Sequence, residues 1–293
     1  MNHGRVHIPV LLEETMEMLA VKETGTYLDA TVGLGGHAER ILSVLGPSGR
    51  IVGIDRDVDA LQSAGERLGD PRVLLRNGSF SEMSEILSSA GIESLDGALL
   101  DLGLSMLQLR DLSRGFSFMS DDRLDMRMDV SQSLSAWDVV NRYPERKLEA
   151  VLLEYGEERS ARKIARSIID SRRKSPVNTC SELAKIVEGV YGGRGKIHPA
   201  TKTFQALRIE VNRELDELRE GLTAAAGRLR TGGRLCVISY HSLEDRIVKN
   251  FIRDKAKEGL LRPLTKKPVC AGPEEKRVNP SARSAKLRGA EKL

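Results

Sequence analysis

The chain has 293 residues, 40% hydrophobic and 30% charged, a globular composition with room for one large domain or two ordinary ones. No apolar run reaches the roughly 18 residues of a membrane span. The opening MNHGRVHIPVLLEE has no signal-peptide apolar region, so a cytoplasmic protein is expected. The net charge of +4 is uneven: residues 262–293 hold nine Lys and Arg against three Glu, leaving the rest slightly acidic. Such a basic tail suits a nucleic acid or other acidic partner, and equally a solvated tail.

In chain order, residues 10–19 predict an amphipathic helix. Short apolar runs predict strands at 26–31, 50–55, 72–77 and 95–103, with helices between them at 36–45, 58–68 and 81–90. This βαβ rhythm argues for an open parallel sheet with helices on both faces. The rhythm stops after Leu109. RDLSRGFSFMSDDRLDMRMD has no period, and residues 134–190 read as helices without a strand. One of them, 158–173, sets Ala161, Ile164, Ala165, Ile168 and Ile169 against Arg159, Arg162, Lys163, Arg166 and Arg173. Residues 198–230 predict one long helix, with Gln205, Arg208 and Asn212 as a polar stripe fit for a substrate or for a buried network. Strand character returns at 232–242, so the helical block reads as an insertion into an α/β domain. A helix then starts at Ser242, with Ser242 and Asp245 matching a capping box.

Two features carry chemistry. LDATVGLGGH (28–37) is a strand turning through glycines into a helix, and Asp55 stands at the end of the next strand, where an acid can bind a ribose. Gly33, Gly35 and Ala38 satisfy the G-x-G-x-x-A pattern of NAD sites, but S-adenosylmethionine uses a similar loop. Asp29 favours the second ligand, because a carboxylate repels a pyrophosphate and attracts a sulfonium or an ammonium. Asp101 ends the fourth strand, at the edge where such sheets bind ligands. The Leu102, Gly103 and Leu104 that follow it depart from the two prolines and aromatic of the usual DNA amino-methyltransferases. Cys180, Cys236 and Cys270 form no C-x-x-C pair, and His3, His7, His37, His198 and His241 have no ligand spacing. No disulfide framework and no metal are expected.

HIPVLLEE, LDATVGLGGHAERIL, GIDRDVDAL, DLGLSMLQL, RGFSF, LDMRMD, YGEERSARKIARSI, HPATKTFQALRIEVNRELDEL, GGRLCVISYHSLEDRIVKNF and NPSARSAKLR follow one another in order. Together they resemble the RsmH (MraW) family of bacterial 16S rRNA cytosine-N4 methyltransferases, from about His7 to the C-terminus. The resemblance implies an α/β fold: a class I, Rossmann-like S-adenosylmethionine-dependent methyltransferase sheet with an inserted all-helical domain. Residues 1–110 with 207–293 would form the methyltransferase domain and 111–206 the insert, suited to RNA recognition. It implies methylation of one cytidine, position 1402 of 16S rRNA in the small (30S) ribosomal subunit. Cofactor contacts carry over to Gly35, Gly36, His37, Asp55, Phe80, Asp101 and Gln108, with Phe80 for the adenine and Asp55 for the ribose.

Three departures stand out. Met106 follows Ser105 where the family commonly has a second serine, Tyr240 replaces the phenylalanine of FHSLEDR, and NPSARSAKLR lacks one arginine of NPRSRSAKLR. By position Asp101 is a candidate acceptor for the amine, whereas the resemblance gives it to the cofactor, so no catalytic base is assigned. The tail, the basic helix and the loop 110–127 are the expected RNA-contacting surfaces. An NAD-dependent oxidoreductase and a non-enzymatic RNA-binding factor are the rival readings.

Overall fold

The computed structural model describes residues 9–104, 111–192 and 198–293. The chain divides into two compact units, Met1–Met106 with Leu215–Leu293, and Leu107–Glu214. The first unit holds a seven-stranded sheet. In chain order its strands are β1 (Thr26–Asp29), β2 (Arg50–Asp55), β3 (Val73–Asn77), β4 (Leu95–Asp101), β5 (Leu229–Ser239), β6 (Leu261–Pro263) and β7 (Lys286–Lys292). Their spatial order is β3-β2-β1-β4-β5-β7-β6. The first five run parallel, and β7 pairs antiparallel with both β5 and β6. The order reverses between β1 and β4, which makes the carboxyl ends of these two strands the crevice of the sheet.

Period-two alternation builds both faces. Leu28, Val52, Ile54, Ala98, Leu100, Leu235 and Val237 enter one core cluster. Tyr27, Ile51, Leu99, Cys236 and Ile238 enter the other. The expected α/β sheet is therefore present, with helices α1 (Leu12–Leu19), α2 (Gly36–Leu42), α3 (Val58–Leu68) and α4 (Met83–Ser89) between or before its strands.

The tail is not a solvated appendage: it supplies β6 and β7. Its charges hid that strand, because they are matched by neighbours rather than by water. Lys286 and Arg288 pair with Asp245, and Arg262 and Arg234 pair with Glu291.

The second unit carries α5 (Ala136–Arg142), α6 (Glu145–Gly156), α7 (Ala161–Arg172), α8 (Cys180–Tyr191) and α9 (Thr201–Asn212). The long helix expected over 198–230 is two, because the chain turns left-handed at Arg213 (φ 50°) before α10 (Glu214–Arg228). Arg208 grips Glu214 through two 2.8 Å bonds across that turn, a six-residue spacing that one continuous helix would not bring face to face. The side chain of Asn212 donates to Met126 O and accepts from Met128 N, both at 2.8 Å, and Gln205 donates to Tyr155 O at 3.0 Å. The polar stripe is thus a structural network.

Arginines of the expected RNA loop are also used internally. Arg127 forks onto Asp125 at 2.7 and 2.8 Å, and Arg114 donates to the carbonyls of Arg127 and Met128. On α7 the apolar face is buried, and Arg162, Lys163 and Arg166 are exposed. Cys180 and Cys236 are buried and Cys270 is exposed.

Candidate active site

Each strand of the crevice delivers an acid at its last residue: Asp29 from β1, Asp55 from β2 and Asp101 from β4. The β1–α2 loop is tied to this edge by its own backbone. Gly33 N donates to Asp55 Oδ2 at 2.9 Å, and Asp57 N donates to Asp55 Oδ1 at 2.9 Å. Asp55 therefore shapes the glycine loop as well as facing outward from the sheet edge. Thr31 Oγ1 accepts from Asp101 N at 2.7 Å, joining the loop to β4. Gly33 and Gly35 have positive φ, as the tight turn needs. Gly36 is small for another reason: an added Cβ would stand 2.5 Å from Pro9 Cγ. Its role is to admit the N-terminal segment.

His37 is buried in α2. Its Nε2 lies 3.1 Å from Val10 O and its Nδ1 lies 3.6 Å from Asp101 Oδ2. Phe80 follows β3 and is half-buried against Gly221 of α10, where an added Cβ would meet it at 2.8 Å. Gln108 lies outside the described residues. The structure thus brings Gly35, Gly36, His37, Asp55 and Asp101 to one edge and fixes Phe80 beside the same sheet.

Three residues at this edge gave little signal in the sequence. Tyr240, after β5, donates its hydroxyl to Asp101 Oδ1 at 2.8 Å. Glu217 accepts from Ser81 N and Oγ at 3.1 and 3.2 Å and meets Arg56 Nη2 at 3.3 Å, so it holds the Phe80 loop. Its buried position on α10 reads in sequence as an ordinary helical Glu. His241 proved to be the cap of α11 (Ser242–Lys257): Nδ1 accepts from Glu244 N, and Glu244 accepts from the amide of His241. The expected Ser242–Asp245 box is therefore displaced by one residue, and Asp245 is free to bind β7.

The electrostatics of the edge are one-sided. Burial raises Asp29 and Asp55 to about 6 and Asp101 to about 7. Among the described residues no Lys or Arg lies within ion-pair distance of the three. Burial also lowers His37, which disfavours its charged form beside Asp29. A dense, desolvated set of carboxylates suits a positively charged ligand and opposes a pyrophosphate. The α2 helix has only seven residues, so its dipole is a minor term beside three carboxylates.

Comparison with known proteins agrees with this chemistry. The MraW methylase family model matches residues 4–293. A protein of Trichlorobacter lovleyi named ribosomal RNA small subunit methyltransferase H is 49% identical, over 98% of each chain. One of the same name from Koribacter versatilis is 48% identical, over 97% of this chain and 93% of its own. A crystal structure from Clostridium thermocellum shares the fold at a TM-score of 0.50 and 15% identity, covering 98% of this chain and all of its own. With a family model spanning nearly its whole length and relatives at almost half identity, the chain belongs to the MraW methylase family.

Proposed function

We propose that the protein methylates the exocyclic N4 of a single cytidine of 16S rRNA in the small ribosomal subunit, in the cytoplasm, with S-adenosylmethionine as donor. One observation carries the cofactor: three carboxylates at neighbouring strand ends, Asp29 buried and Asp55 and Asp101 half-buried, which make no ion pair with Lys or Arg among the described residues. The residues fit a group bearing a sulfonium and an ammonium. When bound, S-adenosylmethionine supplies a methyl activated by its positive sulfur.

The chain's own residues do the rest. Asp55 can accept from ribose hydroxyls while keeping Gly33 and Asp57 in place, and Phe80 offers an apolar ring to the adenine. Gly35, Gly36, His37 and Asp101 complete the cofactor side. Gln108 is assigned to it by resemblance alone. The amine of cytosine is a weak nucleophile, so the enzyme's main contribution is to hold it in line with the methyl; such positioning supplies up to roughly 7–11 kcal/mol. The target base must be unpaired or leave its stack to arrive there. The exposed basic face of α7 is the surface we assign to RNA phosphates, which makes binding steeply salt-dependent.

The test is direct. The protein is mixed with methyl-labelled S-adenosylmethionine and unmodified small subunits, and the RNA is digested to nucleosides. Label in N4-methylcytidine at one site is expected. Label in another nucleoside, or in none while the cofactor still binds, would refute the assignment.

A further inference from the structure

The carboxyl of Asp101 has a different neighbour on each oxygen. The Tyr240 hydroxyl donates to Oδ1 at 2.8 Å, and His37 Nδ1 faces Oδ2 at 3.6 Å. What lies behind His37 fixes its proton. Val10 O can only accept, so Nε2 carries the hydrogen and Nδ1 is left as a lone pair. The Val10 carbonyl is itself set by the next amide, because Leu11 N donates to Glu275 Oε1 at 2.8 Å. Nδ1 and Oδ2 are then two acceptors turned toward each other, with room for one proton between them.

The remaining charged groups that face this trio are Asp29, Glu244 and Glu275, with Asp55 acting on Asp29; all are acids, and all favour holding a proton there. The Asp101 side chain keeps 22% of its surface open, so a substrate can reach it. The Tyr240 ring lies over Gly103, where φ is +141° and an added Cβ would meet the ring at 3.1 Å.

We propose that Asp101 Oδ2 takes the proton lost by the target amine, with Tyr240 and His37 as positioning residues. The inference rests on the amine-methylation reading above. As the methyl bonds to N4, the nitrogen gains the positive charge that the sulfur gives up. The N4–H bond then breaks with its electron pair left on nitrogen, and the proton bonds to Oδ2 and hydrogen-bonds to His37 Nδ1. Tyr240 occupies Oδ1 and so directs the proton to the oxygen that has an acceptor behind it. In this chain the tyrosine stands where the resembled family usually has phenylalanine, so Tyr240→Phe removes one hydroxyl from a site that tolerates either ring.

The experiment compares wild type, Tyr240→Phe and Asp101→Asn. Turnover on unmodified small subunits at saturating S-adenosylmethionine is measured from about pH 5.5 to about 9. Carbon-13 titration of labelled aspartate carboxyls, without substrate, follows Asp101 directly. In wild type, kcat is expected to rise along an acid limb whose midpoint lies below the ligand-free Asp101 titration, because the bound cation favours the carboxylate, and follows it from variant to variant. Loss of a donor to the charged form raises that midpoint. Tyr240→Phe therefore moves limb and titration upward together, with a several-fold loss of kcat on the acid side and little loss on the alkaline side. Asp101→Asn loses roughly 100-fold or more in kcat at every pH, the lower range for an acid–base group, a loss that saturating S-adenosylmethionine does not restore although the variant binds the cofactor more weakly.

A titration that Tyr240→Phe does not move, or one that moves without the kcat limb, would overturn the proposal. So would Asp101→Asn acting on cofactor affinity alone. A wild-type protein that methylates no RNA amine sinks the functional reading instead, and the carbon-13 titration still reports whether Tyr240 governs Asp101.

Discussion

Acids in this protein fall into two populations. At the strand ends, Asp29, Asp55 and Asp101 make no ion pair with Lys or Arg among the described residues, and desolvation raises them to about 6, 6 and 7. Elsewhere, burial opposes the charges of Asp125 and Asp245, and arginine outweighs it. Arg127 holds the carboxyl of Asp125 below its ordinary range, and Arg288 with Lys286 does the same for Asp245. Asp70, forked by Arg72, is lowered to about 2. The chain therefore has cations to spend and spends them on loops and sheet edges. Where it withholds them, the missing charge is the one a ligand brings. Acids paired with arginine serve architecture, and desolvated acids that lack a cation are the candidates for a site.

The comparison can be broken from either side. The largest effect is expected at Asp55. Asp55→Ala removes a charged acceptor from Gly33 and Asp57 together with the proposed ribose contact. Two charge-assisted bonds at about 1.5 kcal/mol each predict roughly a 100-fold loss of S-adenosylmethionine affinity. Calorimetry measures it, and an unchanged affinity would remove Asp55 from the site. Next comes the paired population. Arg127→Met leaves Asp125 partly buried without its fork and should cost about 2 kcal/mol in denaturant unfolding, with cofactor affinity within twofold. Gly103→Ala imposes a side chain on a φ of +141° beneath Tyr240, and should cost about 1–2 kcal/mol of stability while disturbing the Asp101 titration. The smallest effect belongs to the exposed pair Arg173–Asp170 at the end of α7. Arg173→Ala should leave stability within about 0.5 kcal/mol and weaken RNA binding only in low salt.

Much of this is legible in the amino-acid sequence alone. The βαβ rhythm, the glycine loop and the acids at 29, 55 and 101 are local patterns, because strand ends and turns are written in adjacent residues. What the sequence conceals depends on distant partners. β7 is a charged run whose counter-ions, and those of its neighbours, come from other elements: Asp245 from α11 and Arg234 from β5. Tyr240 meets Asp101 across 139 positions, and Glu217 meets Ser81 across 136. The break at Arg213 follows from Asn212 and Arg208 reaching outside their own helix, which no periodicity encodes. The ordered blocks shared with the MraW family identify the chemistry, and the geometry explains why those acids are spaced as they are.

The pH dependence of S-adenosylmethionine affinity tests the central claim most directly. A carboxyl whose folded pKa is raised binds protons more tightly in the folded state. The ligand-free fold therefore loses stability as pH climbs from about 4 to about 7 through the raised range of these acids. A bound cation relieves the repulsion among the charged carboxylates, so binding favours their ionised forms. Calorimetric titration from about pH 5 to about 7 should then show affinity rising more than tenfold with pH. Affinity that stays flat, or falls, over that interval would contradict the account.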